Sequence, residues 1–125
     1  MASKKKPRVC ITGISGYIAK RCAATLIQKG YRVKGTVRDI RKVDQIKEDL
    51  KLFLGHHSEV EFVVADLFSD HGWDKALFDC QVLFHLASPF NLNPPKDENL
   101  TIKPARAGTL RALTAAHNVG VSRVI

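Results

Sequence analysis

Short apolar runs alternate along this chain with longer segments in which apolar residues recur every three or four positions. The apolar runs predict four β-strands and the start of a fifth, at residues 8–12, 32–37, 60–65, 82–86 and 121–125. The recurring apolar positions predict helical faces at Ile18, Cys22 and Leu26; at Val43, Ile46, Leu50 and Leu54; at Trp73 and Leu77; and at Leu110, Leu113 and His117. This alternation is typical of an α/β fold, in which helices cover both faces of a doubly wound parallel sheet.

The last predicted helix contains two residues that interrupt helices, Pro104 and Gly108. Proline removes a backbone hydrogen bond, and glycine costs about 1 kcal/mol relative to alanine. The sequence therefore predicts a helix that starts near Lys103 or bends there. Gly108 either allows the helix to approach the sheet closely or is simply tolerated at the surface.

Composition limits the chain to one compact unit and argues against several classes of protein. With 125 residues, of which 45% are hydrophobic, the chain can fill one core. No run reaches the roughly 18 apolar residues that cross a membrane, and no secretory signal core follows the basic stretch at residues 4–8. A cytoplasmic location without a membrane partner is therefore the expectation.

The formal net charge of +8 would suit nucleic-acid binding, because clustered Lys and Arg neutralise phosphates. Beyond the basic stretch at the start, however, basic residues are interspersed with acidic ones. That pattern is typical of a solvated surface and argues against a nucleic-acid partner. The three cysteines, Cys10, Cys22 and Cys80, are widely spaced and include no Cys-x-x-Cys pair. We expect reduced, mostly buried thiols and no metal site.

The turn between the first strand and the first helix carries a glycine pattern with a chemical meaning. Gly13, Gly16 and Ala19 are spaced three apart, with a strand before them and a helix after them. In a dinucleotide-binding Rossmann fold the first position permits a tight turn, the second lets the backbone approach a pyrophosphate, and the third lets the helix pack closely on the sheet. The predicted cofactor contacts in this turn are Gly13, Ser15, Gly16, Tyr17 and Ile18.

The end of the second strand determines which nicotinamide cofactor is predicted. An acidic residue there would bind the 2′-hydroxyl of NAD, whereas a basic residue would bind the 2′-phosphate of NADP. The strand runs into Thr36-Val37-Arg38-Asp39, and the Arg38 guanidinium can form a forked contact with phosphate. NADP(H) is therefore predicted, with NAD(H) as the alternative if the strand is one residue longer and Asp39 takes the ribose position. Arg41 or Lys42 could add a second phosphate contact, although a solvated helix start is the expectation for both.

Five motifs follow one another in the order found in one enzyme superfamily. They are Thr12-Gly13-x-x-Gly16-Tyr17-Ile18-Ala19, Thr36-Val37-Arg38-Asp39, Ala65-Asp66-Leu67, Phe84-His85-Leu86-Ala87-Ser88-Pro89 and Ile102-Lys103-Pro104-Ala105-x-x-Gly108-Thr109. By these motifs the chain resembles the extended short-chain dehydrogenases/reductases of the NAD(P)-dependent epimerase/dehydratase superfamily. It is most similar to the dihydroflavonol reductase and cinnamoyl-CoA reductase group and to related fungal aldehyde and ketone reductases. We expect a basic leader at residues 1–7 and, at 8–125, an NAD(P)-binding Rossmann domain that is incomplete at its C-terminus.

The resemblance also implies roles for residues that follow the third and fourth strands. Asp66 would accept a hydrogen bond from the adenine amino group, and the backbone of Leu67 would contact the ring. The path to the nicotinamide ribose would be lined by Leu86, Ala87 and Ser88. The residues themselves support this in part, because Asp66 and Ala87 directly follow strands, and parallel sheets bind ligands beyond the carboxyl ends of their strands. A turn cap is the alternative for Asp66.

The proton chemistry that the resemblance implies is not found in these residues. The family exchanges hydride between a nicotinamide and a carbonyl/alcohol pair, and a serine with a Tyr-x-x-x-Lys helix handles the proton. Here Tyr17 and Tyr31 are followed four positions later by Arg21 and Gly35, so neither completes the motif. His85 is expected to be a hydrogen-bonded core group and not an acid or base. We therefore predict no catalytic residue within the 125 residues.

The expected function is the NADP-binding part of an oxidoreductase that reduces a small or aromatic carbonyl compound and is inactive as this fragment. An open sheet edge at the fifth strand would permit self-association. One alternative is a non-catalytic dinucleotide-binding or assembly module, and another is part of an NAD-dependent epimerase or dehydratase. Arg38 and the run at residues 85–89 favour the reductase.

Overall fold

Strands and helices form in the predicted order. The computed structural model describes residues 6–87 and 99–125, apart from the side chains at positions 99–102 and 104. The strands are β1 (Arg8–Ile11), β2 (Arg32–Val37), β3 (Glu61–Val64), β4 (Val82–Phe84) and β5 (Arg123–Val124). The helices are α1 (Tyr17–Gln28), α2 (Val43–Leu54), α3 (Trp73–Leu77) and α4 (Asn99–Val119), with a 3₁₀ turn at Ile40–Lys42.

The strands pair in parallel in the order β3-β2-β1-β4-β5. In the centre of the sheet, Cys10 of β1 lies opposite Lys34 of β2 and Leu83 of β4. The chain moves outward from β1 to β3 and then crosses to the other side of β1, which places the switch point between β1 and β4. Open α/β sheets bind ligands beyond the carboxyl ends of the strands at such a point. The predicted α/β class, with a doubly wound parallel sheet of Rossmann type, is confirmed.

Helices α1 and α2 cover one face of the sheet. The buried cluster on this face comprises Val9, Ile11, Ile14, Ala19, Ala23, Ala24, Val33, Val37, Ile46 and Leu50. The predicted inner face of α1 is wrong at Ile18, which is 69% exposed. The three alanines face the sheet instead, because small side chains let the helix backbone lie close to the strands. Cys22 and Leu26 pack at the margin of the cluster.

Helices α3 and α4 cover the opposite face, and α4 also packs through small residues. Its buried positions include Ala112, Ala115 and Ala116. The predicted core positions Leu110 and Leu113 are exposed, so the predicted face of α4 is wrong for the same reason as that of α1. In both helices the larger apolar residues lie beside the alanine stripe and not on it.

Helix α4 begins at Asn99 and runs through Pro104, so the predicted start near Lys103 is wrong. Pro104 is the sixth residue of the helix, so its missing N–H removes one backbone hydrogen bond near the N-terminal end and none in the middle. Gly108 is buried, and a Cβ there would lie 2.7 Å from the Cβ of Leu67, so the helix does approach closely, but it approaches the loop after β3 and not a strand of the sheet. Although α4 has 21 residues, no helix in the described part of the chain is long and apolar enough to cross a membrane.

Lys34 departs from the expectation that the basic residues form a solvated surface. It is only 3% exposed, in the middle of β2. Its ammonium donates hydrogen bonds to the carbonyls of Lys75 and Phe78, at 3.1 and 2.9 Å. These carbonyls lie at the end of α3, where a helix leaves backbone acceptors without intrahelical partners. Both contacts of the buried ammonium are therefore with backbone carbonyls and not with a carboxylate.

Candidate cofactor site

A cleft of about 410 Å³ lies beyond the carboxyl ends of the central strands. It is lined by Gly13, Ser15, Gly16, Thr36, Arg38, Lys42, Ala65, Asp66, Leu67, Phe68, Trp73, Leu86 and Ala87. All the predicted cofactor contacts are in this lining except Tyr17, Ile18 and Ser88. Tyr17 and Ile18 are exposed at the start of α1, outside the lining, and Ser88 lies outside the described residues. The fold thus brings together residues from four separate stretches of sequence.

A second depression of about 410 Å³ lies between α3 and α4. Its walls include Asp70, Leu110 and Arg111, and it is more open to solvent than the cleft. No predicted cofactor contact lines it. The cleft at the end of the sheet is therefore the candidate site.

The glycine turn is held in place by β2 and by the segment after β4. Gly13 has a φ of +65°, and a Cβ there would lie 3.0 Å from both Cα and Cβ of Ala87, so a larger residue would be both strained and crowded. The Gly13 N–H donates to Oγ1 of Thr36 at 2.9 Å. Ile14 is fully buried over Gly35, where a Cβ would lie 2.5 Å from Cδ1 of Ile14. The turn is therefore shaped by close packing as well as by its own glycines.

The start of α1 offers backbone donors to an anion. Gly16 precedes the helix in an extended conformation, with φ −70° and ψ 153°. In the described structure no side chain caps this helix, and its first turn contains no acidic residue. The first N–H groups of a helix lack intrahelical partners and lie at the positive end of the helix dipole. Because Gly16 lines the cleft, this helix start is suited to hold a phosphate group there.

Two cations from the segment after β2 line the cleft, Arg38 and Lys42. The strand ends at Val37, as predicted. The Arg38 side chain is 70% exposed, with Nε 3.9 Å from Oδ2 of Asp66 and the guanidinium carbon 6.0 Å from the centre of the Phe68 ring. These are loose contacts, so the guanidinium is free to turn towards an anion in the cleft.

Asp39 is engaged outside the lining of the cleft. Its carboxylate accepts hydrogen bonds from the backbone N–H of Arg41 at 2.9 Å and from the guanidinium Nη2 of Arg41 at 2.8 Å. These bonds to Arg41 lower the pKa of Asp39 to about 2. The carboxylate caps the 3₁₀ turn and is ionised at neutral pH.

The loop after β3 is fixed from beneath by two helices. Trp73 Nε1 donates to the carbonyls of Asp66 and Ser69, at 3.1 and 2.9 Å. Arg111 of α4 donates to the carbonyl of Leu67. Asp66 caps its own turn, because its Oδ1 accepts from the N–H two residues later at 3.0 Å, while Oδ2 faces Arg38. The turn-cap alternative for Asp66 is therefore correct as far as Oδ1 is concerned.

The segment after β4 is fixed by a buried threonine. The N–H groups of Leu86 and Ala87 both donate to Oγ1 of Thr12, each at 2.9 Å. The same oxygen lies 3.0 Å from Nδ1 of His85, and the other ring nitrogen of His85 lies 3.3 Å from Oγ1 of Thr109. Burial lowers the pKa of His85. His85 is thus hydrogen-bonded at both ring nitrogens, as predicted, but it is half-buried and not a fully buried core group.

The family model described as "NAD dependent epimerase/dehydratase family" matches residues 9–125, which is nearly the whole chain. The chain belongs to this family. The resemblance drawn from the five ordered motifs is thereby confirmed.

Individual relatives of this epimerase/dehydratase family member agree with that result. Tetraketide alpha-pyrone reductase 1 from Arabidopsis thaliana is 36% identical over 121 residues, covering 96% of this chain and 37% of that protein. Dihydroflavonol 4-reductase from Hordeum vulgare is 34% identical over 126 residues, covering 100% of this chain and 35% of that protein. The crystal structure of Gre2 in complex with NADPH from Candida albicans matches with 29% identity and a TM-score of 0.74, covering 94% of this chain and 36% of that one. This chain thus spans about a third of the length of these relatives.

Sequence reasoning missed several residues that shape the cleft of this family member. Thr12 and Thr36 were part of the sequence motifs but had no predicted role. The hydroxyl of Thr12 fixes the segment after β4, and that of Thr36 fixes the glycine turn. Phe68 and Trp73 line the cleft without having been assigned a role there. A threonine at or just beyond the end of a buried strand was the available signal, since its hydroxyl can accept hydrogen bonds from N–H groups of the adjoining loops.

Proposed function

We propose that this chain forms the NADPH-binding part of a reductase that transfers hydride to a small carbonyl compound. The observation that carries this proposal is the placement of Arg38 and Lys42 in the cleft lining, with Asp39 engaged by Arg41 outside it. Two cations after β2 match the charge of a 2′-phosphate, which NADP carries and NAD lacks. An acidic residue in the same place would favour the ribose hydroxyl instead.

The other groups in the cleft fit the remaining parts of this dinucleotide. The pyrophosphate would be held by the backbone at Gly16 and the uncapped start of α1. The adenine would be held by Asp66 and Leu67, and the nicotinamide ribose by the segment from Leu86 onwards, which extends to Ser88. Tyr17 and Ile18, although outside the cleft lining, lie at the same helix start and are proposed to border the cofactor.

The relatives support the reductase chemistry. Both curated relatives described above are named as reductases, and the matched crystal structure contains NADPH. When bound, the nicotinamide would supply the hydride, and the protein would supply binding and orientation. The substrate is proposed to be a small-molecule carbonyl or alcohol, bound by the protein of which these residues are a part.

We further propose that these 125 residues bind NADPH but do not oxidise it. A reduced carbonyl must receive a proton as well as hydride, and a tyrosine with a lowered pKa is the usual donor in such sites. Neither Tyr17 nor Tyr31 has a lysine four positions later. Steady NADPH oxidation with any of a panel of aldehydes and ketones, lost on Tyr17→Phe, would contradict this part of the proposal.

The cofactor assignment is tested by calorimetric titration with NADPH and NADH. We expect the wild-type chain to bind NADPH at least tenfold more tightly, since charge-assisted hydrogen bonds contribute about 1.5–3 kcal/mol. Arg38→Ala should remove this preference by weakening NADPH binding alone. Arg106→Ala, which deletes an exposed arginine of α4 outside the cleft lining, should leave both affinities unchanged.

Two results would contradict the assignment. The first is equal affinity of the wild-type chain for the two cofactors. The second is a loss of NADPH affinity in Arg106→Ala as large as that in Arg38→Ala, since that would show a general charge effect and not a 2′-phosphate contact.

A further inference from the structure

His85 follows β4 beside the cleft and is hydrogen-bonded through both ring nitrogens. It is half-buried, and its side chain does not line the cleft. Its neighbours Leu86 and Ala87 do line the cleft. Any influence of His85 on a bound cofactor must therefore pass through these neighbours.

The protons around Thr12 can be counted. A hydroxyl oxygen accepts two hydrogen bonds and donates one. Oγ1 of Thr12 already accepts from the N–H groups of Leu86 and Ala87, both at 2.9 Å. Its own hydrogen is then left for the remaining partner, Nδ1 of His85 at 3.0 Å. Nδ1 of His85 must therefore be an unprotonated acceptor.

This count also assigns the other ring nitrogen. A neutral imidazole with an unprotonated Nδ1 carries its proton on Nε2, which donates to Oγ1 of Thr109. The described groups that contact the His85 ring are the hydroxyls of Thr12, which follows β1, and Thr109 of α4, and neither is a charged side chain. Among the described residues, no carboxylate contacts the ring to stabilise a second proton.

We propose that His85, as the neutral Nε2–H tautomer, is a positioning residue for the cofactor cleft. By accepting the Thr12 hydroxyl hydrogen, it orients both lone pairs of that oxygen towards the N–H groups of Leu86 and Ala87. Ala87 is thereby held against Gly13, where no space remains for a Cβ. The inference rests on the proposed function, because it concerns how the wall of an NADPH-binding cleft keeps its shape.

The tautomer is tested on the wild-type chain without cofactor. Long-range ¹H–¹⁵N correlation spectra at neutral pH distinguish protonated from unprotonated ring nitrogens. We expect His85 to carry its proton on Nε2, with Nδ1 unprotonated. A proton on Nδ1, or a doubly protonated ring at neutral pH, would overturn the proposal whether or not NADPH binds.

The positioning role is tested by a matched pair of substitutions. His85→Asn keeps an acceptor near the position of Nδ1, whereas His85→Leu fills similar space without one. We expect the leucine variant to bind NADPH roughly five- to tenfold more weakly, the typical effect of one lost hydrogen bond, and the asparagine variant to restore most of the affinity. A merely space-filling role for His85 would produce the opposite order.

A third variant links the effect to the hydroxyl. Thr12→Val removes the hydroxyl but keeps the shape of the side chain. The double variant Thr12→Val/His85→Leu should bind NADPH no more weakly than Thr12→Val alone, since both substitutions act through one hydroxyl. Additive losses in the double variant would overturn the proposal. If the wild-type chain fails to bind NADPH, the proposed function fails, while the ring spectrum still decides the tautomer.

Discussion

The two rims of the cleft are held by different forces. The glycine rim, residues 12–16 and 85–87, contains no Asp, Glu, Lys or Arg and is fixed by buried hydroxyls and close packing. The charged rim, residues 38–42 and 65–70, carries exposed ion pairs over a loop fixed from beneath. Under the proposed function the two rims have different roles: the glycine rim sets the shape of the cleft, and the charged rim sets which anion it prefers.

The energetic consequences differ as well. At Gly13 of the glycine rim an added methyl group would lie 3.0 Å from two atoms of Ala87 and has nowhere to go. An exposed ion pair contributes about 0–1 kcal/mol, because water and salt screen it. Substitutions in the glycine rim should therefore have large effects on both folding and binding, and substitutions in the charged rim should have small effects that separate one cofactor from another.

The largest effect is expected from Gly13→Ala. The new Cβ would lie 3.0 Å from two atoms of Ala87, in a backbone conformation with φ +65° that alanine rarely adopts. We expect NADPH binding to weaken by more than tenfold and the free energy of unfolding to fall by about 1–3 kcal/mol. Calorimetric titration and urea unfolding measure the two quantities.

Gly55→Ala is the control for this substitution. Gly55 has a similar φ of +79°, but a Cβ there would meet nothing within 4 Å. It should therefore lose about 1 kcal/mol of stability from backbone strain and no NADPH affinity. If the two variants bind NADPH equally well, the distinction between the glycine rim and an ordinary left-handed glycine is wrong.

The sequence predicted the fold better than it predicted the packing. Strand and helix order follow from the alternation of apolar patterns, which the topology preserves. Helix faces were assigned from the larger apolar residues, and this failed at Ile18, Leu110 and Leu113, which are exposed. The spacing of apolar residues does not reveal how close a helix lies to its sheet. At short separations alanine and glycine occupy the interface, and the larger residues are displaced to its sides.

The site shows the same contrast. Arg38 and Asp66 were predictable, because charge type and position after a strand are visible in the sequence. The roles of Thr12 and His85 were not, since their hydrogen bonds join residues more than 70 positions apart. Chain folding alone brings β1 and β4 side by side, so a single sequence carries no local signal for that network.

An intermediate effect is expected from Arg111→Ala, which tests whether the charged rim also depends on buried support. Arg111 donates to the carbonyl of Leu67 and, at 2.7 Å, to Oδ1 of the exposed Asp70. Loss of the bond to the loop carbonyl should lower the free energy of unfolding by about 1–2 kcal/mol and weaken NADPH binding about threefold. The same calorimetric and urea measurements apply.

Asp70→Asn separates the two contacts of Arg111. It neutralises the ion pair but leaves the bond to the Leu67 carbonyl, and the Asp70 side chain is 89% exposed. We expect stability and NADPH affinity close to those of the wild type. A loss as large as that in Arg111→Ala would mean that the surface ion pair, and not the carbonyl contact, supports the rim.

The smallest effect is expected from Asp39→Asn, and its direction distinguishes a 2′-phosphate contact from a ribose contact at the charged rim. The bonds from Arg41 lower the pKa of Asp39 to about 2, so its charge is present throughout the range above its unperturbed value and is lost only as the pH falls through about 2. Near neutral pH the substitution removes one negative charge close to the proposed 2′-phosphate position and releases Arg41. NADPH binding should therefore strengthen, by less than about threefold, while NADH binding stays constant, as measured by paired titrations. If NADH binding weakens instead, Asp39 contacts the ribose and the charged rim selects NAD.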